Sequence, residues 1–331
     1  MPTIAAIIPL YNGEHYIKEA LASVFAQDRA ADEIIVVDDG SSDGGPQIVE
    51  NMLQHEKRLR FFRKSNGGQG SARNFGVANT SCDLIAFLDQ DDYWYNNHLS
   101  VLEQLFLNKD DGNLGYVYSN PDRVGVNGNM LIPQFLNTLK HQEHPKKSVL
   151  SCLARDMYVL PGSSLISRKL FLDIGGFDEC FRGCEDDDLF IRMFCAGYSS
   201  EYTELSLYAW RNNPSSTSFS RAMIISREAY FDKISNGDIK ELSKHEKTVF
   251  SHRCARLSSQ GIKSAIARND RDTLDLLVMQ TMKFSAAMDP SPRFFLRFKV
   301  LRRYWAARLR SIVEAMIGIK RQSRPLPASP E

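Results

Sequence analysis

The stretch LIAFLDQDDYW, residues 84–94, joins an apolar strand to a cluster of acids. Its first four residues form a continuous apolar run, which predicts a strand buried on both faces. Asp89, Asp91 and Asp92 follow this run. Three carboxylates crowded at one strand end are costly unless a cation lies among them. The natural occupant is a hard divalent metal ion that holds a phosphate group.

Apolar runs alternate with amphipathic segments on both sides of this stretch. The predicted strands are Ile4–Ile8, Glu33–Val37, Leu59–Phe62, Leu84–Leu88 and Tyr116–Tyr118. Helical periodicity between them predicts crossover helices, and therefore parallel strands. The fold class is α/β with a doubly wound sheet, and a ligand is expected beyond the carboxyl ends of its strands.

Two further motifs extend this predicted ligand site. Asp38–Asp39 ends the second strand, where turn capping does not account for a doubled acid, so one carboxylate is expected to point into the cleft. The stretch NGGQGSARNFG, residues 66–76, places glycines before a helix whose N-terminus can face phosphate. Arg73 stands where a dinucleotide fingerprint needs its third glycine. It is expected to pair with a diphosphate or with nearby carboxylates, and a structural arginine is the alternative.

A second acidic cluster, Glu185–Asp188, opens a predicted helix. The helix N-terminus favours ionised carboxylates, while the neighbouring acids favour protonated ones. Pairing of Asp188 with Arg192 one turn later explains part of the cluster in structural terms. For the first cluster, an EF-hand is excluded because Trp94 stands where glycine is needed. A phosphatase nucleophile of the Asp-x-Asp kind stays open, although Trp94 favours a wall for a bulky ligand.

Five motifs in order carry a family resemblance. They are PLYN at 9–12, VDDGS at 37–41, GSARNFG at 70–76, DQDD at 89–92 and EDDDL at 185–189. Together they resemble the family 2 glycosyltransferases of GT-A fold, over residues 1 to about 220. The resemblance implies a Rossmann-like, doubly wound mixed sheet, a nucleotide-sugar donor, Mn²⁺ or Mg²⁺, and inversion at the anomeric carbon.

The resemblance also implies roles for individual residues. Donor binding falls to Pro9, Tyr11, Glu14, Asp39, Arg73 and Asp89. Metal binding falls to Asp91, the general base is Asp186, and the acceptor side holds Trp94, Phe177 and Glu185. UDP is the expected nucleotide because Asp39 suits an imide donor such as uracil N3; dTDP presents the same edge, and GDP stays open.

One motif departs from the family pattern. Relatives often carry Arg-x-His after the catalytic helix, whereas this chain has Arg211 and then Asn213. We expect Arg211 and Asn213 to form a diphosphate loop in which a neutral amide replaces the histidine. We expect this change to affect either the affinity for the metal ion or the closing of this loop.

The predicted domains are a GT-A catalytic domain at 1–217, a helical region at 218–320 and a disordered tail at 321–331. Within the first, residues 1–120 form the nucleotide-sugar half and residues 121–217 the acceptor half. The last helical stretch, 293–316, has one apolar face with basic flanks. Such a helix lies in the surface of an anionic membrane, or docks on the catalytic domain or a dimer partner.

Composition narrows the function classes. The net charge of +1 among 331 residues gives no sign of a nucleic-acid partner, and six cysteines without a CxxC pair argue against zinc. Without a signal sequence or a long apolar run, the expected location is cytoplasmic, with peripheral attachment to the inner face of the membrane. The predicted enzyme transfers a sugar to a hydroxyl of a glycan or lipid-linked acceptor in bacterial surface polysaccharide synthesis. A non-catalytic nucleotide- or carbohydrate-binding protein and a sugar-nucleotide phosphohydrolase are the alternatives.

Overall fold

The computed structural model describes residues 1–109, 112–140, 142–213, 216 and 220–316, with side chains up to residue 310. The predicted tail, 321–331, lies outside the described residues. The chain forms two compact units: Met1–Ser151 with Asp156–Ser226, and Cys152–Arg155 with the residues from Arg227 onward. We call them the sheet unit and the helical unit.

The sheet contains nine strands among the described residues. They are β1 (Ile4–Leu10), β2 (Glu33–Asp38), β3 (Leu59–Arg63), β4 (Leu84–Phe87), β5 (Tyr93–Trp94), β6 (Leu114–Val124), β7 (Met130–Ile132), β8 (Ser164–Ser167) and β9 (Ser199–Arg211). Their order is β3-β2-β1-β4-β8-β6-β9-β5, with β7 paired to β6. The first four strands are parallel, and β8 runs antiparallel to both β4 and β6.

The helices follow the alternation that the sequence predicts. They are α1 (Ile17–Phe25), α2 (Gly45–Leu53), α3 (Gln69–Ala78), α4 (His98–Leu107), α5 (Val149–Ala154), α6 (Arg168–Asp173), α7 (Glu185–Cys195), α8 (Arg221–Asn236), α9 (Lys244–Arg268), α10 (Arg271–Phe284) and α11 (Pro290–Met316). The mixed α/β sheet and the helical C-terminal region confirm the predicted fold class. β6 continues beyond Asn120 to Val124, and the chain returns antiparallel to it through β7.

Register places the motifs at one edge of the sheet. Leu10 of β1 pairs with Asp38 of β2, and Ile7 of β1 pairs with Phe87 of β4. The three strands therefore end close together, and the polar segments that follow them meet beyond the carboxyl edge. Gly76 brings α3 onto this sheet, since a Cβ there would lie 2.5 Å from Ile7 Cγ2.

Two helices of the helical unit, α9 and α10, begin with side-chain caps. Ser243 and Glu246 form a reciprocal capping box at the start of α9. Asp270 accepts a hydrogen bond from the backbone of Thr273 at the start of α10. In the described part of the chain, no helix combines the length and the hydropathy needed to cross a membrane.

Candidate active site

The ends of β1 and β4 are joined by one side chain, that of Gln90. Its Oε1 accepts from the Tyr11 backbone N–H at 2.8 Å, and its Nε2 donates to the Tyr11 carbonyl at 3.0 Å. Sequence reasoning missed this role, because Gln90 looked like a spacer between two acids. An amide, which both donates and accepts, is the signal that was available.

The two acids at the end of β2 have separate roles. Asp38 is fully buried and caps the turn, accepting from Ser41 N–H at 2.9 Å and from Arg63 Nε at 3.0 Å. Asp38 is therefore the structural member of the pair.

Asp39 faces the loop that precedes α3. Its Oδ1 accepts from Lys64 Nζ at 2.9 Å and from Gly67 N–H at 2.8 Å, and its Oδ2 accepts from Gly68 N–H at 2.6 Å. The carboxylate is thus bonded by protein donors on both oxygens. A nucleobase that binds Asp39 must share the carboxylate with these donors or replace one of them. Recognition of a nucleobase by Asp39 stays a prediction.

The other predicted donor-side residues lie around the same edge. Tyr11 is half-exposed, at 49%, so its ring can contact a planar ligand. Glu14 accepts from the Gly44 N–H at 2.8 Å and thereby ties the segment after β1 to the turn before α2. Pro9 is buried in β1, where it pairs with Val37, so its side chain does not lie at the protein surface.

Arg73 links the two acidic clusters. The side chain is buried, its Nη1 donates to Glu185 Oε1 at 2.9 Å, and its Nη2 bonds Asp89 Oδ1. Burial acts to lower the pKa of Arg73, but the attraction of Asp89 and Glu185 outweighs it and raises the pKa. The guanidinium also lies 5.2 Å from the centre of the Phe177 ring. Of the alternatives left open by the sequence, pairing with carboxylates is the one observed.

The start of α3 lies close to Phe177 and to the first residue of α7. A Cβ at Gly70 would lie 3.3 Å from Phe177 Cβ and 3.7 Å from Glu185 Cγ. Gln69, beside it, donates a hydrogen bond to Glu185 Oε1. Gly70 and Gln69 therefore lie at the contact between α3 and α7, beside the pairing of Glu185 with Arg73.

Asp91 is the carboxylate to which the family resemblance assigns the metal ion. Its Oδ2 accepts from Asn213 Nδ2 at 2.9 Å, and burial followed by the charge of Asp89 raises its pKa. A cation beside Asp91 would favour its ionised form. Within the described ranges, no group of three His, Cys, Asp or Glu side chains is arranged to hold a metal. The site fits Mg²⁺ or Mn²⁺ nonetheless, because such ions need only one or two carboxylates when phosphates and waters complete the shell.

Asp92, in contrast, is a structural carboxylate. It is buried, it accepts from the Tyr208 hydroxyl, and its Oδ1 accepts from the Arg211 N–H at 2.7 Å. Burial, and then the charges of Asp91 and Asp89, raise its pKa. Asp92 fastens the acidic cluster to β9.

Arg211 points into the protein, where it bonds other protein groups. The side chain is buried and its guanidinium lies 5.3 Å from the Tyr16 ring centre and 5.6 Å from that of Tyr93. Its Nη2 donates to Glu19 at 2.7 Å and its Nε to the Asp91 carbonyl at 2.6 Å. The expected diphosphate role is therefore corrected for Arg211. Asn213 donates to Asp91, and its own diphosphate role stays a prediction.

The three residues predicted on the acceptor side lie in the interior. Trp94 is 2% exposed, its Nε1 donates to the Gly162 carbonyl at 2.7 Å, and its ring stacks on His98. Phe177 is buried against other aromatic rings, and Glu185 is buried on Arg73. The prediction that these side chains line an acceptor surface is corrected, because none of them presents a free face.

Asp186 is one of two partly exposed acids at the start of α7, the other being Asp187. The Oδ1 of Asp186 accepts from the Asp187 N–H at 2.9 Å. Burial, followed by the charges of Glu185, Asp187 and Asp156, raises its pKa well above the usual range of an aspartate. The predicted structural pair is also present, with Arg192 Nη2 2.7 Å from Asp188 Oδ2. Asp186 and Asp187 are therefore the accessible acids of α7, and the role of Asp186 as general base stays a prediction.

Comparisons with known proteins identify the family of the chain. The family model "Glycosyl transferase family 2" matches residues 5–173. An uncharacterized glycosyltransferase of Rickettsia conorii, RC0461, is 35% identical over 199 residues, covering 58% of this chain and 31% of the relative. The chain thus spans about a third of that relative's length. The uncharacterized glycosyltransferase EpsJ of Bacillus subtilis is 28% identical over 228 residues, covering 65% of this chain and 63% of the relative.

Solved structures match the fold. Staphylococcus aureus TarS 1–349 with UDP-GlcNAc has a TM-score of 0.63 at 20% identity, covering 96% of this chain and 92% of TarS. A Pyrobaculum calidifontis mannosyltransferase with GDP-Man and Mn²⁺ has a TM-score of 0.57 at 17% identity. The match covers 95% of this chain and 84% of the mannosyltransferase. With the sheet, the motif order and the family match in agreement, the chain belongs to glycosyl transferase family 2 and has a GT-A fold.

Proposed function

We propose that this chain is a metal-dependent inverting glycosyltransferase that moves a sugar from a UDP-linked donor to a hydroxyl of a glycan or lipid-linked acceptor. The observation that carries the proposal is the Arg73 bridge, which holds Glu185 2.9 Å from its Nη1 while Nη2 bonds Asp89. Asp186 follows Glu185 directly, so the bridge brings the proposed base to the edge where the donor motifs meet. We assign this activity to residues 1–217.

The donor side of the proposal rests on the strand ends. Tyr11 is exposed there, and the Asp39 carboxylate with its loop of backbone N–H groups lies at the end of the neighbouring strand. The bound UDP-GlcNAc of TarS supports a UDP-sugar for a chain of this fold. Assembly of bacterial surface polysaccharide is the role we propose for the product.

The mechanism is a single displacement. Asp186 accepts the proton of the acceptor hydroxyl. At the same time the hydroxyl oxygen attacks the anomeric carbon from the face opposite the diphosphate, and the diphosphate leaves, so the configuration is inverted. Asp91 would hold the metal ion, which when bound acts as a Lewis acid on the departing diphosphate. Arg73 and Asn213 hold Asp89 and Asp91 in place through the contacts described above.

A nucleotide panel tests the donor site. We expect UDP or dTDP with Mn²⁺ to raise the melting temperature by several degrees, because a ligand that binds only the folded state stabilises it. Asp91→Asn should remove the metal-dependent part of the shift. Asp173→Asn, an exposed acid paired with Lys169 on α6, is the matched control and should leave the shift unchanged. A wild-type protein that responds to no nucleotide would overturn the proposed donor site in favour of the non-catalytic alternative that Asn213 suggests.

The membrane part of the proposal rests on α11. One face packs on the other helices of the helical unit, where Arg297 Nε donates to Ser285 Oγ at 2.8 Å and Arg308 pairs with Asp275. The other face carries large exposed apolar side chains: Phe294, Phe295, Phe298, Leu301, Trp305 and Leu309. Lys299, Arg302 and Arg310 are exposed on the same helix. We propose that this face attaches the protein peripherally to an anionic membrane.

Charge placed on that face should release the protein from vesicles. For the double variant Phe298→Glu, Trp305→Glu we expect at least a tenfold loss of co-sedimentation with anionic liposomes, since each buried aromatic contributes roughly 1.5–3 kcal/mol. Met279→Glu, at an exposed position of α10, is the control and should sediment as the wild type does. Equal sedimentation of the double variant and the control would contradict membrane attachment through α11.

A further inference from the structure

The helical unit contains a cavity that the proposed transferase site does not use. Its volume is about 320 Å³, near the lower end of small-molecule sites. Four apolar and three basic side chains line it: Ala154, Val249, Met288 and Leu296 with His252, Arg253 and Arg256. No acid is among them. The lining therefore combines an apolar wall with cationic groups.

The basic side chains come from one face of α9. Val249, His252, Arg253 and Arg256 stand at the i, i+3, i+4 and i+7 positions that share a helix face. Arg253 is 6% exposed, and its Nη1 donates to the Cys152 carbonyl at the long distance of 3.5 Å. Neighbouring guanidinium groups on one face repel each other, so an anion between them would be stabilising.

Arg256 and His252 are available to a ligand. In the described part of the chain, neither side chain makes a hydrogen bond or an ion pair, and Arg256 is exposed. A guanidinium binds phosphate through two parallel hydrogen bonds. A phosphomonoester carries about −1.5 to −2 charges at neutral pH, which suits two guanidinium groups better than a carboxylate does.

We infer that this cavity binds a phosphate-bearing amphiphile, with the phosphate on Arg253 and Arg256 and the first carbons of its chain against Val249, Met288 and Leu296. Leu296 belongs to α11, whose opposite face carries the exposed aromatic side chains. The same helix thus joins the cavity wall to a surface suited to lipid. Neither the donor motifs nor Asp186 lines this cavity, so binding there can be tested independently of sugar transfer.

Calorimetry on the full chain tests the inference with three compounds. Dihexanoyl phosphatidic acid, kept below its micelle concentration, should bind at least tenfold more tightly than inorganic phosphate or dihexanoyl phosphocholine. Arg256→Gln should weaken its binding at least tenfold, because a guanidinium leaves the cavity. Lys263→Gln, at an exposed position of the same helix outside the cavity, should not change it.

Three results would overturn the inference. Equal affinity for inorganic phosphate would mean that the apolar wall contributes nothing. Equal affinity for the phosphocholine would remove the need for a phosphomonoester, and unchanged binding by Arg256→Gln would place the ligand elsewhere. A second variant, Leu296→Asp, adds a carboxylate to the wall and should lower affinity for phosphatidic acid, with circular dichroism and melting temperature establishing that both variants fold.

Discussion

Asp186→Asn should abolish sugar transfer and leave nucleotide binding unchanged. The amide cannot accept the proton of the acceptor hydroxyl, and loss of a positioned general base costs roughly 10²–10⁴-fold in rate. The donor motifs lie on the strand ends rather than on α7, so the UDP-dependent thermal shift should persist. Initial rates of UDP release with acceptor present, measured beside the thermal shift of the same protein, give both quantities.

The wild-type pH profile should carry the signature of a raised carboxyl pKa. Burial and the neighbouring acids raise the pKa of Asp186, so the acid limb of kcat should lie above the ordinary aspartate value of about 3.9. Activity falls as the pH drops through that pKa, because the base is then protonated. Asp187→Asn removes one of the raising charges, and its acid limb should move to lower pH while turnover is retained.

The outcome separates three classes of protein. Full activity in Asp186→Asn would place the base elsewhere. UDP release that is equal with and without acceptor would indicate a phosphohydrolase. Donor binding by wild-type protein without turnover on any acceptor would favour a binding protein on a glycosyltransferase fold.

The sequence was sufficient to predict the parallel strands and the place where their ends meet. Strict alternation of apolar and polar residues was not needed for this prediction. β1 and β4 are buried along their length, β2 is buried from Ile34 onward, and each contains a continuous apolar run. The motif order then placed Asp39 and Asp89 at the ends of nearby parallel strands. The apolar runs and the acids that follow them are local in sequence, so these features could be predicted without knowledge of long-range contacts.

The sequence could not predict which way Trp94 faces. Trp94 belongs to β5, a strand of two residues whose partner β9 lies more than 100 residues away in the chain. That pairing turns Tyr93 toward Arg211 and buries Trp94 against His98. An aromatic pair after an acidic motif therefore gives no sign of which ring reaches the ligand.

The three acids of the stretch DQDD, residues 89–92, also face different partners that the sequence could not predict. Asp89 bonds Arg73, Asp91 bonds Asn213 and Asp92 bonds Tyr208. Two of these partners are more than 100 residues distant in sequence, so neighbouring acids that look equivalent acquire different roles only in the folded chain.

Arg73→Met should cost the sheet unit about 3–5 kcal/mol of stability, the usual effect of removing one partner from a buried ion pair. Glu185 is 2% exposed, and its Oε1 would lose the guanidinium that now lies 2.9 Å away. Denaturant unfolding followed by tryptophan fluorescence in a Trp305→Phe background reports on this unit, which then holds the remaining tryptophans. Arg60→Met is the control, because Arg60 pairs with Glu33 at the surface and such pairs contribute less than about 1 kcal/mol.

A second substitution distinguishes lost pairing from lost packing. Glu185→Gln in the Arg73→Met background removes the uncompensated charge while keeping the side-chain shape, so it should recover part of the stability. The recovered protein should still transfer sugar poorly, since Asp89 and α7 are no longer joined by one guanidinium. If Arg73→Met were no less stable than Arg60→Met, the bridge between the two acidic clusters would not be what holds Asp186 at the donor edge.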